Sequence, residues 1–145
     1  MQTLRKLLRL SSREVWLLLQ AAVLLPAARL ALHFVTVAQL KDFGARGVNG
    51  AKSPQLPPQA TARMVRVAAQ YGFSRAKCLE QSFVLRWLLL RQGIDARVLF
   101  GARKEAEQMQ AHAWVEVDGI SLDEDDDDMH RRFSPFEELP VSDID

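Results

Sequence analysis

Between Leu79 and Leu90 almost every position is apolar, with Glu80, Gln81, Ser82 and Arg86 as the exceptions. Leu79, Phe83, Arg86/Trp87 and Leu90 fall on one helical stripe, and Val84, Leu85, Leu88 and Leu89 fill most of the other faces. A helix that is apolar nearly all round has to be enclosed on most sides. In a chain of 145 residues this segment is therefore the element that the rest must wrap. Cys78 stands at its start, and Gln92-Gly93 stops it with the glycine that helix C-termini favour.

The segments before it read as helices. Ser11 and Glu14 have the spacing of a capping box, opening a run from Val15 to Val37 in which only Gln20, Arg29, His33 and Thr36 are polar. That run is long enough to span a bilayer. Arg29 near its centre and Pro26 in its middle argue instead for a kinked buried helix, or for two helices broken near Pro26. An amphipathic contact with a membrane or a partner is the other use for such a run. Residues 43–58 hold three glycines and three prolines and read as a loop. A helix over 59–71 follows, with Met64, Val67, Ala68 and Tyr71 inside and Arg63 and Arg66 outside.

After the central helix the periodicity changes to two. Residues 96–101 and 112–117 read as strands, Asp118-Gly119 as a hairpin turn, and 120–123 as a third strand. Helices first and a small antiparallel sheet afterwards define an α+β fold. Residues 1–52 form an N-terminal helical segment and loop, and 53–145 the core, in one compact domain overall. The acidic run from Asp123 to Asp128 is expected to be a solvated turn, and Phe133, Pro135, Phe136 and Leu139 to pin the C-terminal tail to the body.

The net charge of +1 hides an asymmetry: residues 1–77 hold 12 Lys and Arg against 2 acidic residues, and 78–145 hold 7 against 16. Either the halves attract each other within the fold, or the basic half meets an acidic peptide, an acidic partner or an anionic membrane surface. One cysteine cannot form an internal disulfide, and no convincing secretory signal opens the chain, so the cytoplasm is the expected compartment. Nucleic acid is not an expected partner.

A thiol reacts as thiolate, which the N-terminus of a helix and the nearby Arg75 and Lys77 favour at Cys78. The helix start also offers backbone N–H groups to an oxyanion. A free cysteine is, however, often just a small core residue. His112 opens a strand whose alternation puts His112, Trp114 and Glu116 on one face, where a histidine serves as a base. Closing the Asp118-Gly119 hairpin pairs Val117 with Ile120, Glu116 with Ser121 and Trp114 with Asp123. Asp123 then lies diagonal to His112 and is the first choice to orient it, with Glu124 and Asp125 as alternatives. Cys78, His33, His112 and His130 lack the short paired spacings of zinc ligands, and neither metal nor cofactor is expected.

These residues resemble a known family. Cys78-Leu79-x-x-Ser82, Leu88-Leu89-Leu90-Arg91-Gln92-Gly93-Ile94-x-Ala96, Gly101-x-Arg103 and Ala111-His112-Ala113-Trp114-Val115-Glu116-Val117-Asp118-Gly119 are similar to the transglutaminase-like (papain-like) cysteine proteases of lasso-peptide biosynthesis. Those form the C-terminal half of the B protein, or stand alone where it is split. The resemblance covers about residues 10–125 and implies removal of the leader from a ribosomally made precursor before a cyclase closes the macrolactam. It implies Cys78 as nucleophile, His112 as base and an acid at Asp123 or Glu124. The implied partners are the lasso precursor peptide, a small leader-recognition protein and an asparagine-synthetase-like cyclase. Two other functions compete: an amidase or transglutaminase that passes the acyl group to an amine, and a non-catalytic peptide-binding or membrane-associated scaffold.

Overall fold

The computed structural model describes residues 10–36, 39, 56–72, 76–123 and the short strand at 134–135. Three helices, α1 (Ser12–Phe34), α2 (Pro58–Tyr71) and α3 (Cys78–Arg91), precede four strands, β1 (Arg97–Glu105), β2 (Gln108–Val117), β3 (Ile120–Ser121) and β4 (Ser134–Pro135). The strands form one antiparallel sheet in the order β3-β2-β1-β4. This is the α+β arrangement that the change of period implies.

The capping box of α1 is formed: the Glu14 N–H donates to Ser11 Oγ at 3.3 Å, and the Ser11 N–H donates to Glu14 Oε2 at 2.9 Å. The expectation of a buried helix, or of two helices broken near Pro26, is corrected. Helix α1 runs unbroken from Ser12 to Phe34 with Pro26 inside it, and only Leu17, Ala21 and Leu25 are buried. Those three lie at i, i+4, i+8, one stripe that packs on α2 and α3. Proline removes one N–H donor from the ladder; the buried stripe has its last residue, Leu25, directly before it, so packing holds the helix up to the proline. The face of α1 opposite that stripe looks outward although it is apolar.

Helix α2 starts with Pro58 at its first position, where a missing N–H costs nothing. Its inner face is Thr61, Ala62, Met64, Val65, Ala68 and Ala69, whereas Tyr71 is 62% exposed and Val67 only half-buried. The expected stripe was thus correct in Met64 and Ala68 and wrong in Tyr71. At the end of the helix the Gly72 N–H donates to Ala68 O at 2.8 Å, and a Cβ on Gly72 would clash with that oxygen.

Helix α3 is the enclosed one, with Phe83, Val84, Leu85, Leu88, Leu89 and Leu90 buried. Its exit is a Schellman motif: Gly93 has φ +78°, its N–H donates to Leu90 O at 3.0 Å, and the Ile94 N–H donates to Leu89 O at 3.0 Å. Arg86 bends out of the apolar stripe to donate from Nε to Ala96 O at 3.1 Å, tying helix to sheet. Burial pushes the Arg86 pKa down, with Asp95 countering it. The main core joins Leu17, Ala21 and Leu25 of α1 to Met64 and Val65 of α2, Leu88 and Leu89 of α3, and Val115 of β2.

Strands β1 and β2 are longer than expected, and they are joined by a two-residue turn at Ala106-Glu107 that pairs Glu105 with Gln108. The second hairpin pairs Val117 with Ile120 and Glu116 with Ser121 across Asp118 (φ +53°) and Gly119 (φ +77°), as a type I′ turn requires. The third strand stops at Ser121 rather than Asp123. Near the C-terminus, Pro135 lies in β4 opposite Gly101. Phe133, Phe136, Leu139, Arg75, His130, Glu124, Asp125 and the rest of the acidic run, and the loop over 43–55, lie outside the described residues.

Candidate active site

Cys78 is the first residue of α3 and is half-buried. The N-cap residue, Lys77, has no acceptor in its side chain and makes no side-chain cap, so the amides of the first turn keep their outward-pointing hydrogens. The Glu80 carboxylate, itself buried, accepts the Lys77 N–H at 2.9 Å and holds the entry to the helix.

One turn further, the buried Ser82 donates from Oγ to Ala113 O at 3.0 Å. Residues four apart share a helix face. This bond therefore sets the face that carries Cys78 against β2 at the residue next to His112, which gives a physical reason for serine at that spacing.

His112 and Asp123 meet: His112 Nε2 lies 3.1 Å from Asp123 Oδ2. An ionised carboxylate can only accept, so Nε2 is the donor of this pair. The imidazole stacks on Trp114, with centroids 6.3 Å apart and planes at 15°. Trp114 is fully buried, and its Nε1 donates to Glu116 Oε1 at 3.0 Å, so the surface under the imidazole is fixed.

Asp123 is held although it lies past the end of β3. Its N–H donates to Ser121 Oγ at 3.2 Å, and the Leu122 N–H donates to Val115 O at 2.9 Å. Arg66 of α2 donates from Nη1 to Leu122 O at 3.0 Å. Thus three bonds fix the chain on both sides of the Leu122–Asp123 peptide.

Cys78, His112 and Asp123 line one pocket of about 160 Å³, with Val65 and Arg66 from α2 and Gln81 from α3 on its other walls. The pocket holds a thiol, an imidazole oriented by a carboxylate, and a cation, the groups that attack on a carbonyl carbon would use. Among the described residues no group of three or more His, Cys, Asp or Glu side chains is placed to hold a metal ion. His33 is exposed on α1, with Nδ1 2.8 Å from Arg29 O, and does not line this pocket.

Two residues of the pocket were not expected there. Arg66, assigned to the outside of its helix, is half-buried. Its position four residues after Ala62 and three before Ala69, both buried, is the signal that puts it on the inner edge. Gln81 of α3 also lines the pocket and donates from Nε2 to Ala76 O at 2.8 Å.

The family model for the transglutaminase-like superfamily matches residues 21–138. The chain belongs to the transglutaminase-like superfamily. That superfamily generally includes cysteine proteases, and the domain is consistent with cysteine peptidase or acyltransferase chemistry. Comparison with curated proteins and with solved structures found no match.

Proposed function

We propose that the chain is a cysteine peptidase that removes the leader from a ribosomally synthesised lasso precursor peptide, in the cytoplasm and ahead of macrolactam cyclisation. The observation that carries this reading is the 3.1 Å contact of His112 Nε2 with Asp123 in the pocket that Cys78 lines. The sequence resemblance of Cys78-Leu79-x-x-Ser82 and of the block from Ala111 to Gly119 narrows the reaction to leader removal.

In the proposed reaction the Cys78 thiol gives its proton to His112 Nδ1 as Sγ bonds to the scissile carbonyl carbon. The oxyanion takes hydrogen bonds from amides of the first turn of α3. His112 returns the proton to the leaving nitrogen of the core peptide as the C–N bond breaks, leaving the leader as a thioester on Cys78. Water then gives a proton to His112 and adds to the thioester; the thiol leaves protonated and the leader is released with a free carboxyl group. Asp123 keeps the imidazole in the tautomer that both steps need and balances the imidazolium. A small leader-recognition protein delivers the precursor, and an asparagine-synthetase-like cyclase takes the freed core.

The test is mass spectrometry of a full-length precursor incubated with the chain and the leader-binding partner. Two fragments whose masses sum to the precursor plus one water are expected. Cys78→Ala should lose at least about a thousandfold in rate while melting like the wild type. Full cleavage by Cys78→Ala would sink the proposal, and a product carrying an added amine in place of water would move it to acyl transfer.

A further inference from the structure

Helix α1 has two apolar faces, and the fold covers one of them. At about 100° per residue, Leu17, Ala21 and Leu25 share the inner side. Trp16, Leu19, Val23, Leu30 and Phe34, between 55% and 81% exposed, fall within an arc of about 60° on the opposite side. They run roughly 27 Å along the helix. The exposed residues between them include Ala22, Pro26 and Ala27, none of which has a side-chain donor or acceptor. Arg13 flanks the stripe on one side and Arg29 on the other, both exposed. The acid of this helix, Glu14, is taken up by Ser11 and Arg63 on the inner side.

We propose that this outward face of α1 docks the protein on an anionic lipid bilayer, with the helix lying in the interface plane. A long apolar stripe between cationic flanks, with an indole at one end and a phenyl ring at the other, suits the boundary between headgroups and acyl chains. Arg13 and Arg29 supply the attraction to anionic headgroups at the face itself. A second copy would bring the same arginines to the same face and gain no compensating charge. A protein partner would meet a surface with few hydrogen-bonding groups to read. By length and composition α1 is also long enough to cross a bilayer. Crossing would strip Leu17, Ala21 and Leu25 from the core they share with α2 and α3, so the helix lies on the membrane rather than through it.

Co-sedimentation of the full chain with vesicles tests this. Binding to vesicles of phosphatidylglycerol and phosphatidylethanolamine is expected to exceed binding to pure phosphatidylcholine by at least about tenfold and to weaken with added salt. Arg13→Gln with Arg29→Gln should weaken it on the order of tenfold. Trp16→Gln, Val23→Gln and Phe34→Gln together should weaken it by at least about a hundredfold. All five side chains are exposed, so circular dichroism and cleavage of a soluble peptide should be unchanged. Equal binding to both vesicle types, or wild-type binding by the triple variant, overturns the proposal. So does a dimer seen by light scattering, or a complex with the leader-binding protein, that the triple variant abolishes while the wild type ignores vesicles.

Discussion

At Asp123 three backbone-directed bonds do the work that a longer strand would otherwise do. The strand ends at Ser121, yet the Ser121 hydroxyl, the Val115 carbonyl and the Arg66 guanidinium hold the next two residues in place. An asparagine there keeps the shape and an acceptor oxygen but loses the charge that selects the Nε2–H tautomer. Asp123→Asn is therefore expected to lower kcat by roughly 10²–10⁴-fold with little change in KM or melting temperature. Arg66→Ala acts one step back, by freeing Leu122 O, and should lower kcat less while leaving Asp123→Asn no worse when the two are combined. Steady-state kinetics of the single and double variants check this. Fully additive losses would mean that Arg66 serves the reaction by some route other than Asp123.

At the scale of elements, the start of α1 carries a pH dependence. The Glu14 carboxyl is held below its ordinary value of 4.5, first by the Ser11 N–H; burial opposes this, and the Ser11 hydroxyl and the Arg63 guanidinium add to the lowering. Because the folded state lowers this pKa, the stabilisation is complete above about pH 4.5 and is lost as pH falls through the lower folded value. Glu14→Gln keeps the capping acceptor but loses the charge, so it should cost about 0.5 kcal/mol at pH 7, and the gap to wild type should close on acidification; urea melts from pH 7 to pH 3 measure it. The capping box was legible because both of its residues are local. The β2–β3 register was legible for the same reason: Asp118-Gly119 admits positive φ at both positions, and the contact of Asp123 with His112 follows from that turn. The β1–β2 hairpin was not, because Ala106 adopts φ +55° without being glycine or asparagine. Arg66 was not legible as a partner of Leu122 because the two are 56 residues apart and meet only through packing. The outward face of α1 was misassigned because an apolar side chain looks the same in sequence whether a core or a surface receives it.

For the whole molecule, the first helix decides what counts as the folding unit. The family match begins at residue 21, in the middle of α1. A division that sets residues 1–52 apart from a core of 53–145 would leave α1 outside that core. Yet Leu17, Ala21 and Leu25 are 7%, 0% and 2% exposed, in the same cluster as Met64, Val65, Leu88, Leu89 and Val115. Truncating one buried leucine to alanine costs about 2–5 kcal/mol, so the two leucines together weigh about 4–10 kcal/mol. A domain of this size is stable by only about 5–15 kcal/mol. Removing α1 also exposes the faces of α2 and α3 that it covers, which lie beside the pocket wall formed by Val65 and Arg66. A chain begun at Thr36 is therefore expected to give no cooperative thermal transition and no cleavage. Leu25→Ala should fold with stability reduced by about 2–5 kcal/mol and keep most of its activity at low temperature. Calorimetry of the two variants separates a structural first helix from a detachable one: a wild-type-like transition in the shortened chain would show that the core stands without α1.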